Sequence, residues 1–195
     1  MKKFLILVAL EEELGAEGVA KLREVADVKL LGVGKLNSFE VTLRALEETT
    51  YDAVVNIGTC GSFHHPYATI LRPGVVAQGD IYADTIFATP TENLSTGDGS
   101  VSIYSSDNFI GEDTPESTRK IVDRFDCMDM EAYAIRRALR FHAQLRGKEE
   151  LKLHLLKIVS DEADGTISSW ESRIERLCPM LLEATLNLIE ELKNI

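Results

Sequence analysis

Apolar, β-branched runs alternate with amphipathic stretches along this chain, and that alternation narrows it to one fold class. Strands that are apolar on both faces must be covered on both. Helices packed on either side of a largely parallel sheet meet that demand. The expected strands are 3–10, 28–33, 52–58, 74–88, 100–106, 126–129 and 151–160, and the expected helices 12–26, 36–49, 115–125, 130–146 and 169–193. The fold class is therefore α/β, with a mixed, largely parallel central sheet flanked by helices. At 195 residues, one domain spanning 1–195 is expected, long enough to bury a sizeable core.

Local signals refine the pattern. Thr114 is the expected N-cap of the helix near 115, with Pro115 at its first position and Glu116 in its first turn. The last helix carries Ile174, Leu177, Leu181, Leu188 and Leu192 at helical spacing, and Pro179 is expected to kink or split it. The stretches 59–73 and 89–99 read as turns or lids around His64-His65-Pro66 and Thr96-Gly97-Asp98-Gly99.

The net charge of −11 argues against a nucleic-acid surface, which needs clustered Lys and Arg. Lys2-Lys3 followed by the apolar Phe4 to Leu10 imitates a secretory signal, but the run is short and enters Glu11-Glu12-Glu13 without a small-residue cleavage site. No stretch approaches the ~20 apolar residues of a membrane helix. The cysteines Cys60, Cys127 and Cys178 are odd in number and lack metal-ligand spacing. A reduced, cytoplasmic protein without a structural metal, membrane or nucleic-acid partner is the expectation.

Two glycine motifs invite a phosphate-binding reading. In Gly32-Val33-Gly34-Lys35, a phosphate loop would require Gly at 29 and Ser or Thr at 36, where the chain has Lys29 and Leu36. A dinucleotide fingerprint would require a third Gly at 37, where it has Asn37. What remains is a strand-to-helix turn whose amides can face an anion or a water. Asn56-Ile57-Gly58-Thr59-Cys60-Gly61-Ser62 ends another strand with glycines that permit close ligand approach, or simply a turn. Cys60 reads as a small buried residue, because no histidine is placed beside it. His64 and His65 read as exposed loop residues.

Acids mark three strand ends: Glu11-Glu12-Glu13 after the first run, Glu131 after Cys127-Met128-Asp129-Met130, and Asp161 after Leu155-Leu156-Lys157-Ile158-Val159-Ser160. In open α/β sheets ligands bind at the carboxyl ends of strands, so this arrangement suits acid–base chemistry on a small polar molecule. Glu11 and Glu12 also read as a solvated helix start.

Leu10 to Glu13, Gly32 to Lys35, Asn56 to Gly61, Ser106-Asp107-Asn108-Phe109-Ile110, Met128 to Ala132 and Val159-Ser160-Asp161, in that order, resemble the nucleoside phosphorylase/nucleosidase superfamily. The closest likeness is to its methylthioadenosine/S-adenosylhomocysteine nucleosidases, over residues 4 to about 190. The resemblance implies a purine nucleosidase that works without metal or cofactor, as a homodimer. It implies Asp161, with Ser160 beside it, as proton donor to the purine and Glu13 as the carboxylate positioning water. Glu131 and Met130 would hold the ribose, Thr59 would stand near the sugar, Phe109 and Ile110 would flank the base, and Trp170 would lie over the substrate. The chemistry suits these residue types: a purine leaves poorly as an anion, the sugar develops positive charge, and water is a weak nucleophile.

The chain also departs from the family. An extra hairpin after the glutamates is missing, and 89–99 looks trimmed. The family's Gly-Asp pair reads Gly74-Val75, with Gly79-Asp80 further on. These departures bear on specificity, and methylthioadenosine-, S-adenosylhomocysteine- and futalosine-like substrates all stay open. A phosphorylase, or a homologue that binds without cleaving, is the alternative. The former is disfavoured because three carboxylates stand where a phosphate turn belongs, with Lys35 and Arg72 as the nearby bases.

Overall fold

The computed structural model describes residues 2–81, 89–162 and 167–195, with side-chain surroundings for α5 described at 170 and from 172 onward. Among them, nine strands form one sheet: β1 (Phe4–Val8), β2 (Asp27–Leu30), β3 (Ala53–Gly61), β4 (Ile70–Leu71), β5 (Pro73–Gln78), β6 (Thr91–Asn93), β7 (Asp98–Ser105), β8 (Cys127–Asp129) and β9 (Lys152–Asp161). The helices are α1 (Gly15–Arg23), α2 (Lys35–Glu48), α3 (Glu116–Val122), α4 (Ala132–Arg146) and α5 (Ile167–Lys193). Parallel pairing joins β1 to β2 and β3, β3 to β9, and β7 to β5 and β8. Antiparallel pairing joins β4 to β9, β5 to β6, and β3 to β8. The fold class is the mixed, mostly parallel α/β arrangement that the alternating runs predict.

The period-2 alternation of the strands sorts side chains between two cores. Leu5 and Leu7 of β1, with Leu153, Leu155 and Val159 of β9, pack on the side that holds residues of α2 and α4. Phe4, Ile6 and Val8, with Leu156 and Ile158, pack on the side that holds residues of α1 and α5. Lys157 falls on the first of these faces, between Leu155 and Val159, and is 1% exposed.

Several boundaries differ from the sequence expectation. The 12–26 helix is a 3₁₀ turn at Glu11–Glu13 followed by α1. β2 stops at Leu30, and Gly32 and Gly34 take the positive φ values (74° and 96°) that swing the chain into α2. β3 runs on to Gly61 because β9 pairs with it along that whole length. β4 and β6 occupy the stretches read as irregular, since each finds a neighbouring edge. β5 ends at Gln78, and residues 82–88 of the expected 74–88 strand lie outside the described residues. Pro115 rather than Thr114 is the N-cap of α3; the Thr114 hydroxyl instead accepts the Gly111 N–H at 2.9 Å.

Pro179 does not split α5, which runs unbroken from Ile167 to Lys193. Ile174, Leu177, Leu181, Leu188, Ile189 and Leu192 bury one stripe of it, and that apolar contact outweighs one absent backbone donor. An interior proline costs a helix about 3 kcal/mol against alanine. Its stiffening of the unfolded chain returns about 0.4–1 kcal/mol. Because Pro179 is exposed, Pro179→Ala should raise the unfolding free energy by about 2 kcal/mol, measured by urea denaturation. A lower midpoint would contradict a continuous α5.

Candidate active site

The ends of β1, β3, β7, β8 and β9 converge on a cavity of about 400 Å³. β3 and β8 meet there through the single bridge Gly61–Met128. Glu13, Thr59, Phe109, Ile110, Met130, Glu131, Ser160, Asp161 and Trp170 all line it. Every site residue expected from the sequence is thus brought to one place.

Of the acidic run, only Glu13 turns inward; Glu11 and Glu12 are exposed. The Glu13 Oε1 accepts the Thr59 N–H at 2.6 Å and the Thr59 hydroxyl at 2.9 Å. Its Oε2 accepts the Leu10 N–H at 3.3 Å. The Trp170 indole N–H donates to Thr59 Oγ1 at 3.1 Å, which leaves that hydroxyl to donate onward to Glu13. Gly58 makes the contact possible: its φ is 150°, and a Cβ there would come within 2.8 Å of Glu13 Oε1. Burial pushes the Glu13 carboxyl above its usual range, against the Thr59 bonds and Lys157, which pull it down.

Asp161 closes β9 at 4% exposure. Its Oδ2 accepts the Ser160 hydroxyl at 2.8 Å, and the bare Cα of Gly61 leaves room beside Oδ1. Glu131 stands just before α4. Its Oε1 accepts the Gly34 N–H at 3.3 Å and its Oε2 the Met130 N–H at 3.2 Å. The glycine turn therefore does face an acid, and the acid is the protein's own Glu131. Burial, then the nearby Asp129 charge, push Glu131 up to about 8.

Two residues that the sequence reading left without a role organise this cluster. Lys157 donates from Nζ to Asp129 Oδ2 at 2.8 Å, with both side chains 1% exposed. Burial alone would lower the lysine, but Asp129, Glu131 and Glu13 carry it above its ordinary value. Asp129 also takes the Ser105 hydroxyl at 2.6 Å and the Ala132 N–H at 3.0 Å, which anchors the start of α4. The signal was present: a lysine inside a run apolar on both faces has to be paired.

Of the other candidates, Cys60 also lines the cavity. Cys60 is 3% exposed. The Cys127 thiol is pushed well up by its hydrogen bond with Cys60 and by burial, so it is a poor nucleophile. His64 and His65 face Asp123 and Asp126 and do not line the cavity. Arg72 forms a two-pronged pair with Glu191 at 2.8 and 3.0 Å. Lys35 Nζ donates to Gly79 O at 3.0 Å and Asp80 Oδ2 at 2.9 Å.

No protein-family model matches the chain, and no curated protein does. Its likeness is to solved structures. One is a 5'-methylthioadenosine/S-adenosylhomocysteine nucleosidase from Helicobacter pylori with butyl-thio-DADMe-Immucillin-A, at 17% identity and a TM-score of 0.76, over 98% of this chain and 99% of that one. The futalosine hydrolase of Helicobacter pylori strain 26695 is similar at 16% identity and a TM-score of 0.76, over 97% and 98%. The nucleosidase from Neisseria meningitidis in complex with methylthio-immucillin-A is similar at 19% identity and a TM-score of 0.74, over the whole of both chains. The fold of this chain is thus the one shared by the methylthioadenosine/S-adenosylhomocysteine nucleosidases and futalosine hydrolase.

Proposed function

We propose that this protein is a nucleosidase that hydrolyses the N-glycosidic bond of a purine nucleoside, of the methylthioadenosine, S-adenosylhomocysteine or futalosine type. The observation that carries the reading is the convergence of Glu13, Glu131 and Asp161 from three separate strand ends. They share one cavity with the apolar side chains of Phe109, Ile110, Met128 and Met130. A planar base fits against the apolar wall and a polar sugar against the carboxylates. A cavity of about 400 Å³ lies within the range of small-ligand sites.

In this reading Asp161 hands a proton to the purine as the bond to the sugar breaks, so that the base leaves neutral. The Ser160 hydroxyl at 2.8 Å keeps the Asp161 carboxyl turned in one direction. Glu131 holds the sugar hydroxyls, and the buried carboxylates stabilise the positive charge that grows on the sugar. Glu13, its Oε1 holding two bonds from Thr59 and its Oε2 one from the Leu10 N–H, offers the remaining lone pair of Oε2 to the attacking water and takes the water's proton as the new C–O bond forms. Water is the preferred acceptor because Arg72 and Lys35 are engaged by Glu191 and Asp80, while Lys157 is held by Asp129.

The reading is tested by offering a panel of purine nucleosides and measuring free base, with and without phosphate. Base release with free sugar in phosphate-free buffer is expected. Sugar 1-phosphate as the main product would replace the nucleosidase with a phosphorylase, and binding without release would leave only a nucleoside-binding protein.

Asp161→Asn keeps the size of the side chain and removes its acid proton. Turnover should fall by about 10² or more with substrate affinity nearly unchanged; turnover near that of wild type would remove Asp161 from the role.

Glu131 gives a pH signature. Its folded value of about 8 lies above the ordinary 4.5, so the fold favours its protonated form. That contribution is complete below about pH 4.5 and is lost as pH rises through about 8. Glu131→Gln is neutral at every pH and should lose less stability than wild type between about pH 5 and 8.5, read from thermal or urea unfolding. Identical pH slopes for the two proteins would contradict the raised carboxyl.

A further inference from the structure

Gly79 and Asp80 follow β5 and stand outside the cavity lining. Gly79 extends the pairing of β5 with β7, donating its N–H to Ser105 O at 2.8 Å; a Cβ there would overlap that oxygen. Asp80 then adopts a φ of 64°, uncommon for any residue but glycine, and its N–H donates to the Tyr104 hydroxyl at 3.0 Å. Backbone held in this region often marks a position with a task.

The Asp80 carboxylate gathers donors from two distant segments. Its Oδ1 accepts the Ser106 hydroxyl at 2.8 Å and the Asn108 amide at 3.1 Å. Its Oδ2 accepts the Asp107 N–H at 2.6 Å and the Lys35 ammonium at 2.9 Å. Between those segments, the Lys35 N–H donates to Asp107 Oδ1 at 2.7 Å. Burial would raise the Asp80 carboxyl, but Lys35, Asp107, Ser106 and Asn108 outweigh it and hold it below the usual range. The carboxylate therefore stays charged and keeps accepting at neutral pH.

Both segments border the cavity, which Val33 and Asp107 to Ile110 line. Asp107 leads directly into Phe109 and Ile110, and Lys35 follows Gly34, whose N–H holds Glu131. We propose that Asp80 is a positioning residue, a clamp that sets the base wall at Phe109–Ile110 in register with the sugar-holding carboxylate of Glu131. The assignment of those two segments to base and sugar rests on the nucleosidase reading; the clamp itself rests on the hydrogen bonds.

Asp80→Asn and Asp80→Gly both tolerate the positive φ, so each should fold. Asparagine keeps the Oδ1 bonds but cannot accept from the Asp107 N–H or from Lys35, and glycine loses all of them. Two measurements on the intact protein test the clamp. Amide hydrogen exchange should rise together at 34–35 and 107–110, by about tenfold in Asp80→Asn and by more in Asp80→Gly. Adenine affinity should fall, and so should the preference for a purine ribonucleoside over its 2′,3′-dideoxy analogue, each by about tenfold in Asp80→Asn.

Exchange that rises in one segment only would overturn the clamp. Raised exchange in both segments, with both ligand readouts within about twofold of wild type, would reduce the network to a structural one and equally overturn the proposal. Wild-type protein that neither binds nor releases any purine base would fail the nucleosidase reading instead, and the clamp would then stand or fall on the exchange result.

Discussion

The rest of the site depends on one ion pair, Lys157 with Asp129, placed where a sheet would ordinarily put two apolar side chains. Both groups are almost wholly buried and 2.8 Å apart. Removing two ions from water costs several kcal/mol each, so such a pair is weak evidence for stability as such. Its value lies in what surrounds it. Glu13 and Glu131 both feel the ammonium, and two like unit charges ~4 Å apart repel by about 4 kcal/mol at an effective dielectric near 20. A cluster of buried carboxylates would shed its charge by taking up protons without a cation near its centre. Lys157 lets several acids share a small volume with different affinities for protons, which is what acid–base chemistry by carboxyl groups requires.

Asp129 carries this electrostatic centre into the fold. By accepting the Ala132 N–H it fixes the start of α4, and through Ser105, whose hydroxyl it takes while that oxygen accepts the Tyr133 N–H, it ties α4 to the end of β7. Glu131 sits in the same turn, where unpaired amides at a helix start favour negative charge. Even so, burial and Asp129 dominate and raise it. The two acids are two residues apart in sequence and opposite in use: Asp129 is spent on structure, and Glu131 faces the cavity.

Glu13 shows the same economy from the other direction. The glutamate run reaches beneath β3 only because Gly58 carries no side chain. The carboxylate is then oriented by Thr59, which is itself oriented by Trp170 from α5. A helix at the end of the chain thereby fixes a side chain near its beginning. The apolar stripe of α5 seals one face of the sheet, and Trp170 near its start lines the cavity.

Much of this was legible in the linear sequence. The alternating runs dictate the α/β class, because strands apolar on both faces need cover on both. The strand-end positions of Glu13, Glu131 and Asp161 follow from the runs that precede them. Other features had no local signal. β4 and β6 exist only because neighbouring edges accept them, and β3 continues through Gly58 to Gly61 because β9 lies alongside. Pro179 stays within one helix because a buried stripe outweighs a missing donor. The partner of Lys157 and the target of the Gly34 amide, like the reach of Asp80, join residues far apart in the chain. Residue type alone determined which groups can carry charge, donate or turn sharply. Which of them meet, and with what proton affinity, was decided by tertiary structure, because burial and distance set the energy of a charge and neither is a property of the chain read one residue at a time.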